Sequence, residues 1–255
     1  MSPVLTVENL RVRAGDRLLA SLDSLEVGPG ECAAIVGESG SGKTTTLNAM
    51  LGLTDDGLRV TGKIVIYGVD VVTAGERALR RLRGSAVALV SQSPRHSLNP
   101  TMRLGTLLRR ALARHGLHGA PARKRTEAAL RSVLLDPGLL RRYPHQVSGG
   151  QAQRFAIAMA VALRARVILA DEPTSALDVT VQAAVLDLLA RVRGEYGIAM
   201  VFVSHDLAAV SGVADRLVVM RDGGVVESGP VAAVLDRPTA DYTRELLAAV
   251  PAIRR

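Results

Sequence analysis

Tryptophan is absent, and only four Tyr and two Phe occur in 255 residues. Any core must therefore be built from Val, Leu, Ala and Ile. The single cysteine, Cys32, sits in an apolar run, which excludes a disulfide framework and a cysteine metal cluster. No apolar run approaches the roughly 18 residues that span a membrane. The start, Met1-Ser2-Pro3-Val4, lacks the basic-then-apolar order of a secretory signal, so the expected compartment is the cytoplasm. Internal repeats and low-complexity linkers are missing too. Acidic residues are nearly missing from one stretch: between Arg77 and Arg142, fifteen Arg or Lys meet only Glu127 and Asp136. The net charge of +8 thus belongs to one segment, and the rest of the chain is net acidic. A solvated face would explain such a segment, and so would an anionic surface nearby.

What is present is most specific at residues 37–44, Gly37-Glu38-Ser39-Gly40-Ser41-Gly42-Lys43-Thr44. This is the phosphate-loop pattern G-x-x-x-x-G-K-[ST], unbroken. The preceding run, Cys32 to Val36, reads as a buried strand, and the following residues 45–53, opening with Thr45, read as a helix. Gly37, Gly40 and Gly42 let successive backbone N–H groups wrap a polyphosphate. The helix start adds the positive end of its dipole. Lys43 can reach the β- and γ-phosphates, and the Thr44 hydroxyl can ligate Mg²⁺. The chain is expected to bind a nucleoside triphosphate.

Residues 5–12, 18–27, 31–36, 63–67 and 85–90 read as short strands separated by Gly-, Asp- or Pro-containing turns. Helical spacing then takes over at 104–115 and 122–135, inside the basic stretch. Strand texture returns at 167–170, followed by an amphipathic helix over 179–196 and a strand over 199–203. Residues 217–221 and 224–227 flank Asp222-Gly223 as a hairpin, and 231–250 reads as helix broken at Pro238. Alternation of this kind predicts an α/β fold with a largely parallel sheet. Such sheets bind ligands beyond the carboxyl ends of their strands. Gly37, Gln92, Asp171 and His205 each follow an expected strand, so they are expected to converge.

Asp171-Glu172 offers two carboxylates at one strand end. Asp171 is placed to hold Mg²⁺, and Glu172 to polarise the water that attacks the γ-phosphate. Gln92 can contact both the metal shell and that water. His205 can stabilise the γ-phosphate. Ser148-Gly149-Gly150-Gln151 opens a further helix, with Ser148 as its cap and two glycines that permit close backbone approach. One ATP does not need two such loops from one chain, and a second makes sense if it completes a neighbouring subunit's site.

Together, residues 37–44, Gln92, Val147-Ser148-Gly149-Gly150-Gln151, residues 168–172, Ser175-Ala176-Leu177-Asp178 and His205 resemble the ordered motif set of an ABC transporter ATPase subunit. The resemblance covers nearly the whole chain. It implies a P-loop NTPase (RecA-like) core with an antiparallel β subdomain and an inserted α-helical subdomain. Within a single domain over 1–255, residues 1–92 and 163–255 would form the catalytic core and about 93–162 the insert. It also implies ATP and Mg²⁺, with Thr44, Gln92 and Asp171 near the metal and Glu172, His205 and Gln92 as catalytic residues. Nucleotide contacts would come from residues 37–45 and, in trans, from Ser148, Gly149, Gly150 and Gln151. The implied partners are a second, non-identical ATPase subunit in a head-to-tail dimer, two transmembrane permease subunits and, indirectly, an extracytoplasmic solute-binding protein. A homodimer is the fallback, and no nucleic acid is expected. The chain would lie peripherally on the cytoplasmic face of the inner membrane.

Ser97-Leu98-Asn99-Pro100, Tyr143-Pro144-His145, Asp178-Val179-Thr180-Val181-Gln182 and Tyr242-Thr243-Arg244-Glu245-Leu246-Leu247 are similar to segments of peptide and nickel importer ATPases. Oligopeptides, nickel or metal chelates are therefore the implied solutes. An exporter ATPase and a soluble non-transport ABC protein are the alternatives. Two positions depart from the family. Val147 stands where Leu is usual, and no aromatic occurs near Arg13-Ala14, where the family has one that stacks on adenine. Arg13 is the candidate replacement.

Overall fold

A computed structural model describes residues 2–249. The chain opens with strands β1 (Leu5–Ala14), β2 (Arg17–Val27) and β3 (Cys32–Val36), then helix α1 (Lys43–Met50). Strands β4 (Leu58–Ile66) and β5 (Val69–Asp70), helix α2 (Glu76–Leu82) and strand β6 (Val87–Val90) follow. Four helices come next: α3 (Pro94–Ser97), α4 (Leu104–Arg114), α5 (Gly119–Ser132) and α6 (Gly149–Ala162). The remainder is β7 (Val167–Asp171), α7 (Val179–Tyr196), β8 (Ala199–Ser204), α8 (Leu207–Ser211), β9 (Arg216–Arg221), β10 (Gly224–Pro230), α9 (Val231–Asp236) and α10 (Asp241–Ala249).

Two sheets result. One is antiparallel, ordered β2-β1-β4-β5. The other is ordered β10-β9-β3-β8-β7-β6, parallel throughout except at β10. The central parallel strands are buried on both faces, which is why they read as continuous apolar runs. Their alternate residues belong to different cores. Ala33, Ile35, Leu169, Val201 and Val203 pack toward the antiparallel sheet and α1. Cys32, Ala34, Ile168, Met200 and Phe202 pack toward the helices, with Phe155 of α6. With so few aromatics, Phe155 and Phe202 are the largest fully buried side chains. Burial pushes the Cys32 thiol up to about 12, so it stays protonated and inert.

In β1 the inward residues are Leu5, Val7, Leu10 and Val12. The period slips between Val7 and Leu10 because a bulge interrupts pairing with β4 at Glu8–Arg11. Asn9 takes φ 50 there. Gly62 lies opposite, where a Cβ would come within 2.4 Å of the Asn9 carbonyl oxygen. Residues 58–62 thus pair as strand, although the sequence reads as β only from residue 63. Helix α2 also lies where no element was expected. Leu79 and Leu82 alone are buried among its seven residues, too little apolar periodicity to register. Helix α1 begins at Lys43 and ends at Met50, shifted toward the phosphate loop from the 45–53 expected, and α6 starts at Gly149, directly after its cap Ser148. Residues 231–250 divide as expected around Pro238 into α9 and α10, with Val250 outside the described residues. Among the described residues, no helix is long and apolar enough to cross a membrane.

Candidate functional site

The carboxyl ends of β3, β6, β7 and β8 point the same way, because these strands are parallel. Residues 37–42 leave β3 in the middle of the sheet. Backbone contacts force glycine at two positions. A Cβ on Gly37 would meet the Met220 carbonyl oxygen at 2.1 Å, and one on Gly42 (φ +98) would meet the Leu19 carbonyl oxygen at 2.6 Å. The loop is thus pressed between β9 and β2. The Gly223 amide, from the β9–β10 turn, donates to the Ser41 carbonyl at 3.2 Å.

The Lys43 ammonium folds back over this loop. It donates to the Gly37 carbonyl at 2.8 Å, the Glu38 carbonyl at 2.6 Å and the Ser41 hydroxyl at 3.3 Å. Lys43 is only 4% exposed. Burial lowers its pKa, while the carboxylates of Glu172, Asp171 and Glu38 oppose that shift. At the mouth, the Thr44 hydroxyl donates to Asp171 Oδ1 at 3.1 Å. Burial raises the Asp171 pKa, the Thr44 bond and Lys43 lower it, and Glu172 adds to the rise.

Glu172 follows β7 in a left-handed conformation, φ 42, which a non-glycine residue adopts at a cost of roughly 1–2 kcal/mol. Its amide donates to the Val203 carbonyl at 2.9 Å, which fixes the turn. One carboxylate oxygen, Oε2, then lies 3.2 Å from His205 Nδ1 and 3.3 Å from Gln92 Nε2. The Gln92 amide also donates to the Ser175 hydroxyl at 2.9 Å, and that hydroxyl donates to the Glu172 carbonyl at 3.1 Å. Four side chains from the ends of β6, β7 and β8 therefore form one connected group beside the loop. His205 is more than half exposed while Glu172 is 20% exposed, so the group opens to solvent on the His205 side.

Ser148-Gly149-Gly150-Gln151 is a capping box. The Gln151 amide donates to Ser148 Oγ at 3.2 Å, and the Ser148 amide donates to Gln151 Oε1 at 3.1 Å. Its glycines face the start of α7: a Cβ on Gly150 would lie 2.6 Å from Val181 Cγ1, and one on Gly149 3.2 Å from Leu177 Cδ2. Among the described residues, no hydrogen bond or ion pair joins this box to residues 37–45, Asp171, Glu172 or His205. Arg13 lies exposed at the end of β1 and donates to the Asp16 carbonyl at 2.8 Å.

Thr44 and Asp171 suit a hard divalent cation. Both offer oxygen, they are adjacent, and a polyphosphate and water would complete the shell. Among the described residues no group of three His, Cys, Asp or Glu is placed to hold a metal ion.

Sequence reasoning gave Ser175 no separate task, and it missed Tyr242. The Tyr242 hydroxyl accepts a hydrogen bond from the Glu38 amide at 3.1 Å, across 204 residues of sequence. No local pattern could have revealed that contact.

The family model described as ABC transporter matches residues 21–175. Over 258 residues the chain is 44% identical to the peptidoglycan transport ATP-binding protein YejF of Agrobacterium fabrum, covering 98% of this chain and 47% of that protein. It thus spans about half the length of that relative. A putative peptide import ATP-binding protein of Brucella abortus is 42% identical over 259 residues, covering 98% of this chain and 78% of its own length. Among solved structures, cbiO1 of Clostridium perfringens, described as part of the ABC transporter complex cbiONQ, superposes with TM-score 0.82 at 26% identity, covering 93% of this chain and 92% of that one. A dimeric ATP-binding cassette bound to ADP and Pi in a post-hydrolysis state superposes with TM-score 0.77 at 28% identity, covering 89% of this chain and 98% of that one.

Proposed function

This chain belongs to the ABC transporter family, and we propose that it is the ATP-hydrolysing subunit of an importer for peptide-type solutes. The observation that carries the hydrolytic reading is the convergence of Gln92, Glu172 and His205 on one carboxylate oxygen beside the Lys43 loop. The loop amides of residues 37–45 and Lys43 bind the phosphates. Thr44 and Asp171, together with Gln92, would hold Mg²⁺, which would supply positive charge to offset that of the phosphates. Glu172 accepts a proton from the attacking water, which Gln92 orients. His205 donates toward the γ-phosphate. Relatives named for peptide import and peptidoglycan transport favour a peptide over nickel or a metal chelate.

Residues 1–92 and 163–255 act as the catalytic core, and about 93–162 as the helical insert. Ser148, Gly149, Gly150 and Gln151 serve a second ATPase subunit in trans. The motif set is complete here, and the partner is a homologous, non-identical chain arranged head to tail, as in many of the importers this chain resembles. Two permease subunits dock where sheet and helices meet. An open apolar groove there is lined by Leu53, Leu89, Leu98, Met159 and Leu163. Leu53 and Leu89 are 46% and 42% exposed, as expected of a surface awaiting an apolar partner. The permease places the chain on the cytoplasmic face of the inner membrane and links it to an extracytoplasmic solute-binding protein. No nucleic acid takes part.

The test is uptake of a labelled oligopeptide into proteoliposomes holding the permease, this chain and its partner ATPase subunit, with the solute-binding protein outside. Uptake should require ATP inside and disappear with Glu172→Gln. ATP-independent uptake, or ATP-driven movement of nickel and no peptide, would overturn the reading.

A further inference from the structure

We infer that Tyr242 is a positioning residue for the phosphate loop, so that α10, near the far end of the chain, sets how well the loop binds nucleotide. The inference rests on the reading of residues 37–44 as the ATP-binding loop. The segment Tyr242-Thr243-Arg244-Glu245-Leu246-Leu247 has no part in the hydrolytic chemistry, yet α10 lies directly on the loop.

The contact is built rather than incidental. Tyr242 is 5% exposed, and its hydroxyl accepts from the Glu38 amide. The Glu38 carbonyl, on the other side of the same residue, accepts from the Lys43 ammonium and from the Ser41 amide. Tyr242 therefore fixes Glu38 from its N–H side while Lys43 hangs from its carbonyl. The next residue back, Gly37, passes so close to the Met220 carbonyl that an added Cβ would lie 2.1 Å from its oxygen. Its neighbour Arg221 lays its guanidinium 4.7 Å from the centroid of the Tyr242 ring. Leu246, one helical turn beyond Tyr242, lines an open pocket with Gly37, Glu38, Ser39, Glu172 and His205. Helix α10 is thus one wall of the site. Its own start is stapled to β10, where the Glu227 carboxylate accepts from the Thr239 amide and hydroxyl at 2.8 Å each.

A loop held in its binding shape loses less conformational freedom when phosphate arrives. Removing one neutral hydrogen bond should loosen that shape without touching the reacting atoms. Tyr242→Phe keeps the ring, its packing and the Arg221 contact, so the fold should survive. The full chain is titrated with Mg·ADP by calorimetry, and KM and kcat for Mg·ATP are measured alongside the melting temperature. The expected result is a Kd and a KM raised about three- to tenfold, kcat within about twofold, and a melting temperature nearly unchanged. Wild-type Kd and KM in Tyr242→Phe would overturn the inference. So would a fall in kcat and melting temperature with no change in Kd, which marks general loosening. Lys43→Ala, measured in parallel, separates the two levels. If Lys43→Ala also binds nucleotide normally, the reading of the loop itself fails. If Lys43→Ala is weakened and Tyr242→Phe is not, only the role of Tyr242 fails.

Discussion

At the scale of single residues, the site works by shared atoms. Glu172 presents one oxygen to both His205 and Gln92, and the Glu38 residue holds Lys43 on one side and Tyr242 on the other. Much of this was legible in sequence, because Gly37, Gln92, Glu172 and His205 lie at or just past the ends of β3, β6, β7 and β8, and parallel strands deliver their ends to one edge. What sequence could not give was the pairing of those side chains, the left-handed backbone at Glu172 or the reach of Tyr242. Those depend on turns and on contacts between distant segments. Base recognition is also a residue-scale question. Arg13 is exposed and donates to the Asp16 carbonyl, and no aromatic accompanies it in β1. A guanidinium stacked on a base contributes about 0.5–2 kcal/mol and distinguishes purines poorly. Competition titration should therefore show ATP and GTP binding within about tenfold of each other. A preference beyond a hundredfold would mean that another residue, or the partner chain, reads adenine.

At the scale of elements, two features carry predictions. The first is the staple between β10 and α10. Burial pushes the Glu227 carboxyl up, but the bonds from the Thr239 and Ala240 amides and the Thr239 hydroxyl outweigh it and draw the pKa down to about 2. A depressed folded-state pKa contributes stability that is present above the unfolded value, near 4.5, and is lost as pH falls toward about 2. Glu227→Gln should therefore lower stability by about 1 kcal/mol at neutral pH and flatten the acid limb between those values. Urea midpoints measured across that pH range test this, and parallel wild-type and variant curves would contradict it. The second feature is the charge on α4 and α5. Arg109, Arg110, Arg123 and Arg125 enter no ion pair among the described residues. Near an anionic leaflet each contributes about 1 kcal/mol, within a Debye length of about 8–10 Å. Neutralising all four should weaken flotation of the permease-bound chain with anionic liposomes and leave flotation with neutral ones unchanged. Equal flotation in every case would leave these arginines as a solvated face. The elements that sequence reading missed were short or weakly patterned. Helix α2 buries two leucines among three arginines, α8 is one turn long, and the bulge in β1 shifts the period on which strand reading depends.

At the scale of the molecule, the proposed pairing with a second ATPase subunit turns on the glycine-rich start of α6. It is capped, held against α7 and unconnected to its own phosphate loop among the described residues. Native mass spectrometry of the membrane complex should find this chain with one homologous ATPase subunit and two permease subunits. Two copies of this chain and no second ATPase would refute the heterodimer and leave the composite site intact. The central claim is narrower: Glu172, braced by Gln92 and His205, is the base of a hydrolytic ATP site. The most direct measurement is steady-state phosphate release at saturating Mg·ATP by the wild-type chain and Glu172→Gln, with ATP affinity measured on both. The account predicts a fall in turnover of two or more orders of magnitude, as for loss of a general base, with ATP still bound. Turnover near the wild-type rate in Glu172→Gln would contradict it.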